Sequence, residues 1–136
     1  MMLVEVNYVA VIIAVVVYMA IGGIWYSPKF FGQIWVENMG YRPEELTGHA
    51  KAWLGSIANA VVMAFVLAVF IHYFGESNEK TAYNGACVGV LAWLGFVLPT
   101  QFSGVLWERR PLKVLFIHAG CMLLTLIIMG TIIGAM

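Results

Sequence analysis

Four long apolar runs are the feature that most restricts how this sequence can fold. They cover about residues 3–25, 52–74, 83–106 and 112–136, and each holds roughly 20 residues or more. An α-helix rises about 1.5 Å per residue, so each run is long enough to cross a hydrocarbon core about 30 Å thick. The sequence therefore predicts an all-α integral membrane protein whose four transmembrane helices form a single domain over residues 1–136.

The composition leads to the same class of protein. Hydrophobic residues make up 62% of the chain and charged residues 10%, whereas about 25% of the residues in a soluble domain are charged. A small soluble domain has too little interior to bury that much apolar surface, so we expect the lipid bilayer to surround the chain. The seven Lys and Arg residues are balanced by seven acidic residues. Nucleic-acid binding needs a basic face, so we expect no nucleic-acid partner.

The basic residues are distributed unevenly among the loops between these runs. The loops after the first and third runs hold three each, and the loop after the second run holds one: Lys29, Arg42 and Lys51; Arg109, Arg110 and Lys113; Lys80. Cytoplasmic loops carry an excess of Lys and Arg. The pattern predicts a multi-pass protein of the cell (inner or plasma) membrane, N-out and C-out, with loops 1 and 3 in the cytoplasm.

The segment GGIWYSPKFFGQIW, residues 22–35, follows the first run directly. Pro28 disfavours continuation of the helix, and Phe31 and Trp35 then recur one helical turn apart. We predict a short amphipathic interfacial helix in the cytoplasmic loop between helices 1 and 2. The alternative is a loop whose aromatic side chains pack against the bundle. The whole loop, 26–51, is long for a compact bundle and is the expected contact surface for a protein partner.

Small residues recur at a spacing of four in three of the runs. They are Ser56, Ala60, Ala64 and Ala68 in the second run, Gly85 and Gly89 in the third, and Gly130 and Gly134 in the fourth. Such stripes let helix backbones approach closely in lipid. Two uses remain open, namely packing within one bundle and formation of a homo-oligomer. We expect a homo-oligomer, because four helices leave little room for an enclosed site.

A few polar side chains lie inside the apolar runs, where they are costly and often functional. Pro99 is expected to kink the third helix and release a backbone carbonyl, which Thr100 or Ser103 would bond. The predicted polar cavity is lined by Asn59, Thr100, Gln101 and His118. We further expect His118 to form a structural hydrogen bond to Gln101 or Ser103.

The sequence contains none of the familiar catalytic or nucleotide-binding motifs. Cys87 and Cys121 are isolated within apolar runs and belong to no metal-binding spacing. His72 and His118 are expected near opposite membrane faces, too far apart to hold one haem. We expect no cofactor and no metal, and a protein that is not an enzyme.

Two blocks of the sequence resemble a known family of small four-helix membrane proteins, catalogued as domain of unknown function seventeen sixty-one. The matching residues are Trp25, Tyr26, Ser27, Pro28, Phe31, Gly32 and Trp35, followed by Trp107, Glu108, Arg110 and Pro111. The resemblance implies a bacterial-type integral membrane protein and supplies no catalytic residues. Arg109 departs from the family pattern, in which a small residue such as Gly is expected.

Both blocks fall on the predicted cytoplasmic side, and we expect them to touch. The residues of this predicted inner-end contact, which is also a candidate site for a lipid headgroup, are Trp25, Tyr26, Trp35, Trp107, Glu108, Arg109 and Arg110. The function we expect is scaffolding or modulation of partners or lipids. The alternatives are a small transporter or channel subunit with a polar site near Asn59, Pro99 and Gln101, and a membrane enzyme acting on a lipid or quinone.

Overall fold

The computed structural model describes residues 6–27, 30–31, 34–35, 37, 50–74, 81–109 and 111–136. Within these residues the chain forms four long helices and no strand: α1 (Tyr8–Trp25), α2 (Ala50–Phe74), α3 (Ala82–Trp107) and α4 (Leu112–Ala135). All four are long and apolar enough to cross a membrane. The predicted all-α class with four helices long and apolar enough to span a membrane is confirmed.

The helices begin where the sequence supplies a cap. The Asn7 side chain accepts hydrogen bonds from the backbone N–H groups of Val9 and Ala10, at 3.1 and 3.2 Å. Thr81 caps α3 in the same manner by accepting from the N–H of Asn84. These bonds satisfy N–H groups that a helix start leaves without a partner. Pro111 directly precedes α4 at its N-cap position, and proline is well tolerated at a helix start.

The core lies towards the end of the bundle that holds Asn7, which we call the Asn7 end. There α1, α2 and α4 meet through side chains that are almost fully buried, including Ala14, Ala64 and Met129, each at 0% exposure. The opposite end, where α1 and α3 finish and α2 and α4 begin, is called the Trp25 end. Among the described residues, helix α4 contributes more buried residues than any other helix, and it packs against the other three helices.

The small-residue stripes are used for packing inside the protomer. Ala60, Ala64 and Ala68 of α2 are buried. A Cβ atom added at Gly85 would overlap the carbonyl oxygen of Gly130, and one added at Gly89 would overlap that of Leu126. The backbones of the antiparallel helices α3 and α4 are therefore in direct contact at these positions, and only glycine permits so short a separation. These stripes accordingly support packing within one bundle, and a homo-oligomer would need a different surface.

Helix α3 contains a π-helical turn at Trp93–Val97, directly before Pro99. In this turn the N–H of Leu98 donates to the carbonyl of Trp93, five residues back. Pro99 has no N–H, and its ring crowds the carbonyl four residues earlier, so a shift of register accommodates it. The Thr100 hydroxyl reaches the carbonyls of Phe96 and Val97, each at 2.8 Å.

Candidate functional site

His118 lies on α4 and is hydrogen-bonded at both ring nitrogens by side chains that follow α1. The Tyr26 hydroxyl is 2.5 Å from Nδ1, and the Trp35 indole N–H donates to Nε2 over 3.1 Å. His118 is six residues into α4, about 9 Å along the helix from Leu112. The segment after α1 therefore sends two side chains back into the bundle at the Trp25 end. Trp25, Tyr26, Trp35 and His118 are called the His118 cluster below.

The partners of His118 determine which of its nitrogens carries the proton. An indole N–H can only donate, so Nε2 must accept and hold no proton. A neutral imidazole then carries its proton on Nδ1, which donates to the Tyr26 oxygen. An imidazolium would place a second N–H opposite the indole N–H of Trp35, so this arrangement selects the neutral ring.

Two further tryptophans fix the same part of α4 through its backbone. The Trp25 indole donates to the carbonyl of Ile117 at 3.0 Å, and the Trp93 indole donates to the carbonyl of Ala119 at 2.8 Å. The carbonyls on either side of His118 thus bind α1 and α3 to α4. Gly120 lies beside the Trp25 ring, where an added Cβ atom would be in ordinary van der Waals contact at 3.5 Å. The indole groups bury their rings and still satisfy their donors.

The local structure between Trp25 and Trp35 explains how the chain reverses. The N–H of Phe31 donates to the carbonyl of Trp25 at 3.0 Å, and the N–H of Trp35 donates to the carbonyl of Phe31 at 2.9 Å. The Trp25 and Phe31 rings stack with centroids 4.6 Å apart. Phe31 and Trp35 are one helical turn apart and both are partly buried. Their neighbours Phe30 and Ile34 are exposed.

Burial raises the pKa of Tyr26 above its ordinary value, and the nearby Cys121 thiol adds to the effect. The hydroxyl therefore stays protonated throughout the physiological range. Both polar side chains of the Tyr26–His118 pair are neutral, which suits a site at the margin of an apolar bundle.

Of the four residues predicted to line a polar cavity, two lie together. Thr100 and Gln101 line a shallow, open depression of about 300 Å³ with Ser103, Gly104, Trp107 and Glu108. Asn59 is exposed on α2 and is not part of that lining. His118 bonds Tyr26 and Trp35, whereas we had expected its bond to go to Gln101 or Ser103. The Ser103 hydroxyl donates instead to the carbonyl of Pro99.

Of the residues predicted to meet at the inner end, Trp25, Tyr26 and Trp35 come together at His118. Trp107 is 86% exposed and, among the described residues, has no hydrogen bond or ring contact with them. Glu108 and Arg109 are exposed at the start of the α3–α4 connection, and Arg110 lies outside the described residues. His118 was missed as a member of this contact. The signal that points to it is its place one and a half turns into α4, level with aromatic residues that need a polar partner.

The predicted interfacial helix lies only partly within the described residues. Ile34, Trp35 and Glu37 are helical, while Pro28, Gly32 and 38–49 are outside the described part. The docking of Phe31 and Trp35 supports the alternative in which aromatic side chains of this segment pack against the bundle. No group of three or more metal-binding side chains occurs in the part of the chain that the structure describes.

Four apolar helices held together at one end by the His118 cluster define a small multi-spanning membrane protein. A family model described as "Protein of unknown function (DUF1761)" matches residues 9–134. The chain belongs to this family, as the WYSP and WERRP blocks indicated. No curated protein and no solved structure shows significant similarity to it.

Proposed function

We propose that the protein is a non-enzymatic membrane scaffold that presents loop 1 (residues 26–51) to a protein partner. In this proposal it works as a homo-oligomer in the cell (inner or plasma) membrane, with loops 1 and 3 in the cytoplasm. The observation that carries the proposal is the pair of hydrogen bonds from Tyr26 and Trp35 to His118.

With both ring nitrogens of His118 hydrogen-bonded to Tyr26 and Trp35, this histidine has a structural role. The two bonds hold the beginning of loop 1 on the bundle in one arrangement. A segment that is ordered before binding loses less conformational entropy when a partner binds, so a fixed loop suits recognition. The exposed Phe30 and Ile34 side chains offer an apolar contact next to the anchored Phe31 and Trp35.

The test uses a photo-crosslinking amino acid at Glu37, which is exposed at the Trp25 end, and at Tyr83, which is exposed at the Asn7 end. We expect discrete protein adducts in intact cells from position 37 and none from position 83. The adducts should weaken in a Trp35→Phe variant and persist in a matched Trp107→Phe variant. Adducts that are unaffected by Trp35→Phe would contradict the proposal.

A second candidate function, a small transporter or channel subunit, draws on α3. A π turn, which is a frequent feature of functional sites, lies next to Pro99, and the depression around Thr100 and Gln101 follows it. In this function the depression would form part of a polar path completed by another protomer. Electrical conductance or solute flux in reconstituted vesicles, lost on Gln101→Leu, would support it. The absence of both in vesicles containing correctly inserted protein would count against it.

A further inference from the structure

The beginning of α2 stands apart from the rest of the bundle. From Trp53 to Asn59 every residue except Ser56 is exposed, with Leu54 at 68%. At Ala60 the exposure falls to 0%, and one side of the helix stays buried from there towards the Asn7 end. Helix α2 therefore leaves the bundle at the Trp25 end, where its surface is available for contact.

The exposed surface of α2 divides into two faces at 3.6 residues per turn. The first begins with the small residues Gly55, Ala58 and Asn59 and continues along the same side of the helix with Val62 and Val66; we call it the small face after its first three residues. The second, the bulky face, consists of Leu54, Ile57, Val61 and Phe65. The small face lies opposite the buried side chains of Ala60, Ala64 and Ile71. Small residues favour helix–helix contact in membranes, and large apolar side chains are well suited to lipid.

Asn59 is the residue of the small face that lipid cannot satisfy. Among the described residues its side chain has no hydrogen-bond partner. It lies six residues from Trp53, the first residue of the membrane span, and thus about 9 Å into the span. An amide without a partner at that depth is costly. The hydroxyls of Thr100 and Ser103 avoid this cost by bonding carbonyls of their own helix.

We propose that the small face of α2 is a homodimer interface, occupied by α2 of a second copy in the same membrane orientation. An amide has both donors and an acceptor, so Asn59 can pair with Asn59 of the second copy. A two-fold axis along the membrane normal places both amides at the same depth. Copies of one chain insert with one orientation, and this symmetry is the commonest in homo-oligomers.

The space around Gly55 supports the same occupant. An added Cβ atom there would meet nothing within 4 Å, so the backbone of α2 is accessible to a neighbouring helix. In α3 and α4, Gly85, Gly89, Gly130 and Gly134 already meet the backbone of the facing segment and offer no such surface. This interface rests on the proposed function only in assuming a homo-oligomer. Loop 1 can bind its partner whether or not the small face of α2 is the interface.

Cysteine crosslinking in native membranes tests the proposal. Val62→Cys lies on the small face, and its matched control, Val61→Cys, lies on the adjacent bulky face. With membrane-permeant iodine as the oxidant, we expect a disulfide-linked dimer from position 62, and only background from position 61 and from the unmodified chain. Equal crosslinking at both positions, no dimer, or an adduct to a protein of another mass would overturn the proposal.

Further substitutions in the Val62→Cys chain test the role of each group. Asn59→Leu should reduce the dimer at least fivefold, and Asn59→Gln should retain most of it. Gly55→Ile should abolish the dimer, because the new side chain would fill the space that the second copy occupies. Gly23→Ile is the matched control and should leave the dimer intact, since an added Cβ atom meets nothing within 4 Å of either glycine inside the protomer. Gln101→Leu should leave the dimer unchanged. A dimer insensitive to Asn59→Leu, or one lost equally with Gln101→Leu, would show that Asn59 does not pair across this face.

Discussion

Trp35 donates its indole N–H to Nε2 of His118 across 3.1 Å, a contact between residues 83 positions apart in the chain. Tyr26 occupies the other ring nitrogen. The two bonds fold the segment after α1 back onto α4 and determine the protonation of the ring. The arrangement at the Trp25 end therefore depends on a neutral histidine.

Removing the indole donor should destabilise the protein without disturbing the spans. We expect Trp35→Phe to lower the free energy of unfolding by about 1–2 kcal/mol, because Nε2 of His118 loses its donor in a partly buried site. SDS titration in mixed micelles would measure the change. Trp107→Phe is the control, since Trp107 is 86% exposed, and it should have no measurable effect. Equal effects of the two substitutions would contradict a specific role for Trp35.

The raised pKa of Tyr26 predicts a particular dependence of stability on pH. The folded state holds the phenol proton above the ordinary pKa of 10.0, where the unfolded chain releases it. Above pH 10 the folded state then binds more protons, so the contribution of Tyr26 to stability should be constant below pH 10 and fall as the pH rises above it. In Tyr26→Phe this fall should be smaller. An absorbance titration of tyrosinate should show one tyrosine fewer that ionises well above pH 10 in Tyr26→Phe than in the unmodified protein. Identical titration curves would be evidence against the burial of Tyr26.

Adding one methyl group where the backbones of α3 and α4 touch should lower the stability of the protein strongly. Gly85→Ala should lower the free energy of unfolding by about 3 kcal/mol or prevent folding, because the new Cβ would overlap the carbonyl of Gly130. Gly23→Ala adds the same methyl where nothing lies within 4 Å, so it should be neutral or stabilising by up to about 1 kcal/mol. SDS-titration curves of the two variants that coincide would rule out the close approach.

Arg109 is predicted to be a position where glycine is better. Its φ of 56° lies in the left-handed region, directly after Glu108 ends α3. A residue with a Cβ atom costs about 1 kcal/mol or more in that conformation, and glycine is preferred after a helix end. Arg109→Gly should therefore raise the free energy of unfolding by about 1 kcal/mol. Arg109→Ala removes the charge but retains the cost, so a gain from alanine as well would identify charge, not backbone conformation, as the cause.

The sequence predicted the parts of the fold that depend on composition along one helix. Long apolar runs identify the helices that can span a membrane, because lipid restricts the backbone to hydrogen-bonded helices. The family pattern also indicated a small residue at 109, and the positive φ of Arg109 supplies the reason. The use of Gly85 and Gly130 within the bundle was one of two alternatives, since a stripe of small residues does not reveal which helix covers it.

The site was harder to predict, because it depends on which faces meet. His118 was assigned to a partner on α3 by depth alone, yet Gln101 at a similar depth lines a different surface. Rotation of a helix about its axis separates such residues, and hydropathy carries little information about rotation when a helix is apolar all round. The sequence groups Trp25, Tyr26 and Trp35 by their position at and after the end of α1, and the structure places all three against the part of α4 around His118. Their common partner became evident only from the packing of α1 on α4.

The protonation state of His118 can be measured directly. The protein has three histidines, so ¹⁵N NMR of histidine-labelled protein in lipid nanodiscs, compared with a His118→Gln sample, isolates the signals of this ring. At pH 7 we expect a neutral ring with a protonated Nδ1 and an Nε2 chemical shift typical of a hydrogen-bond acceptor. A proton on Nε2, in either the other tautomer or an imidazolium, would contradict the bond from Trp35 and with it the anchoring of loop 1.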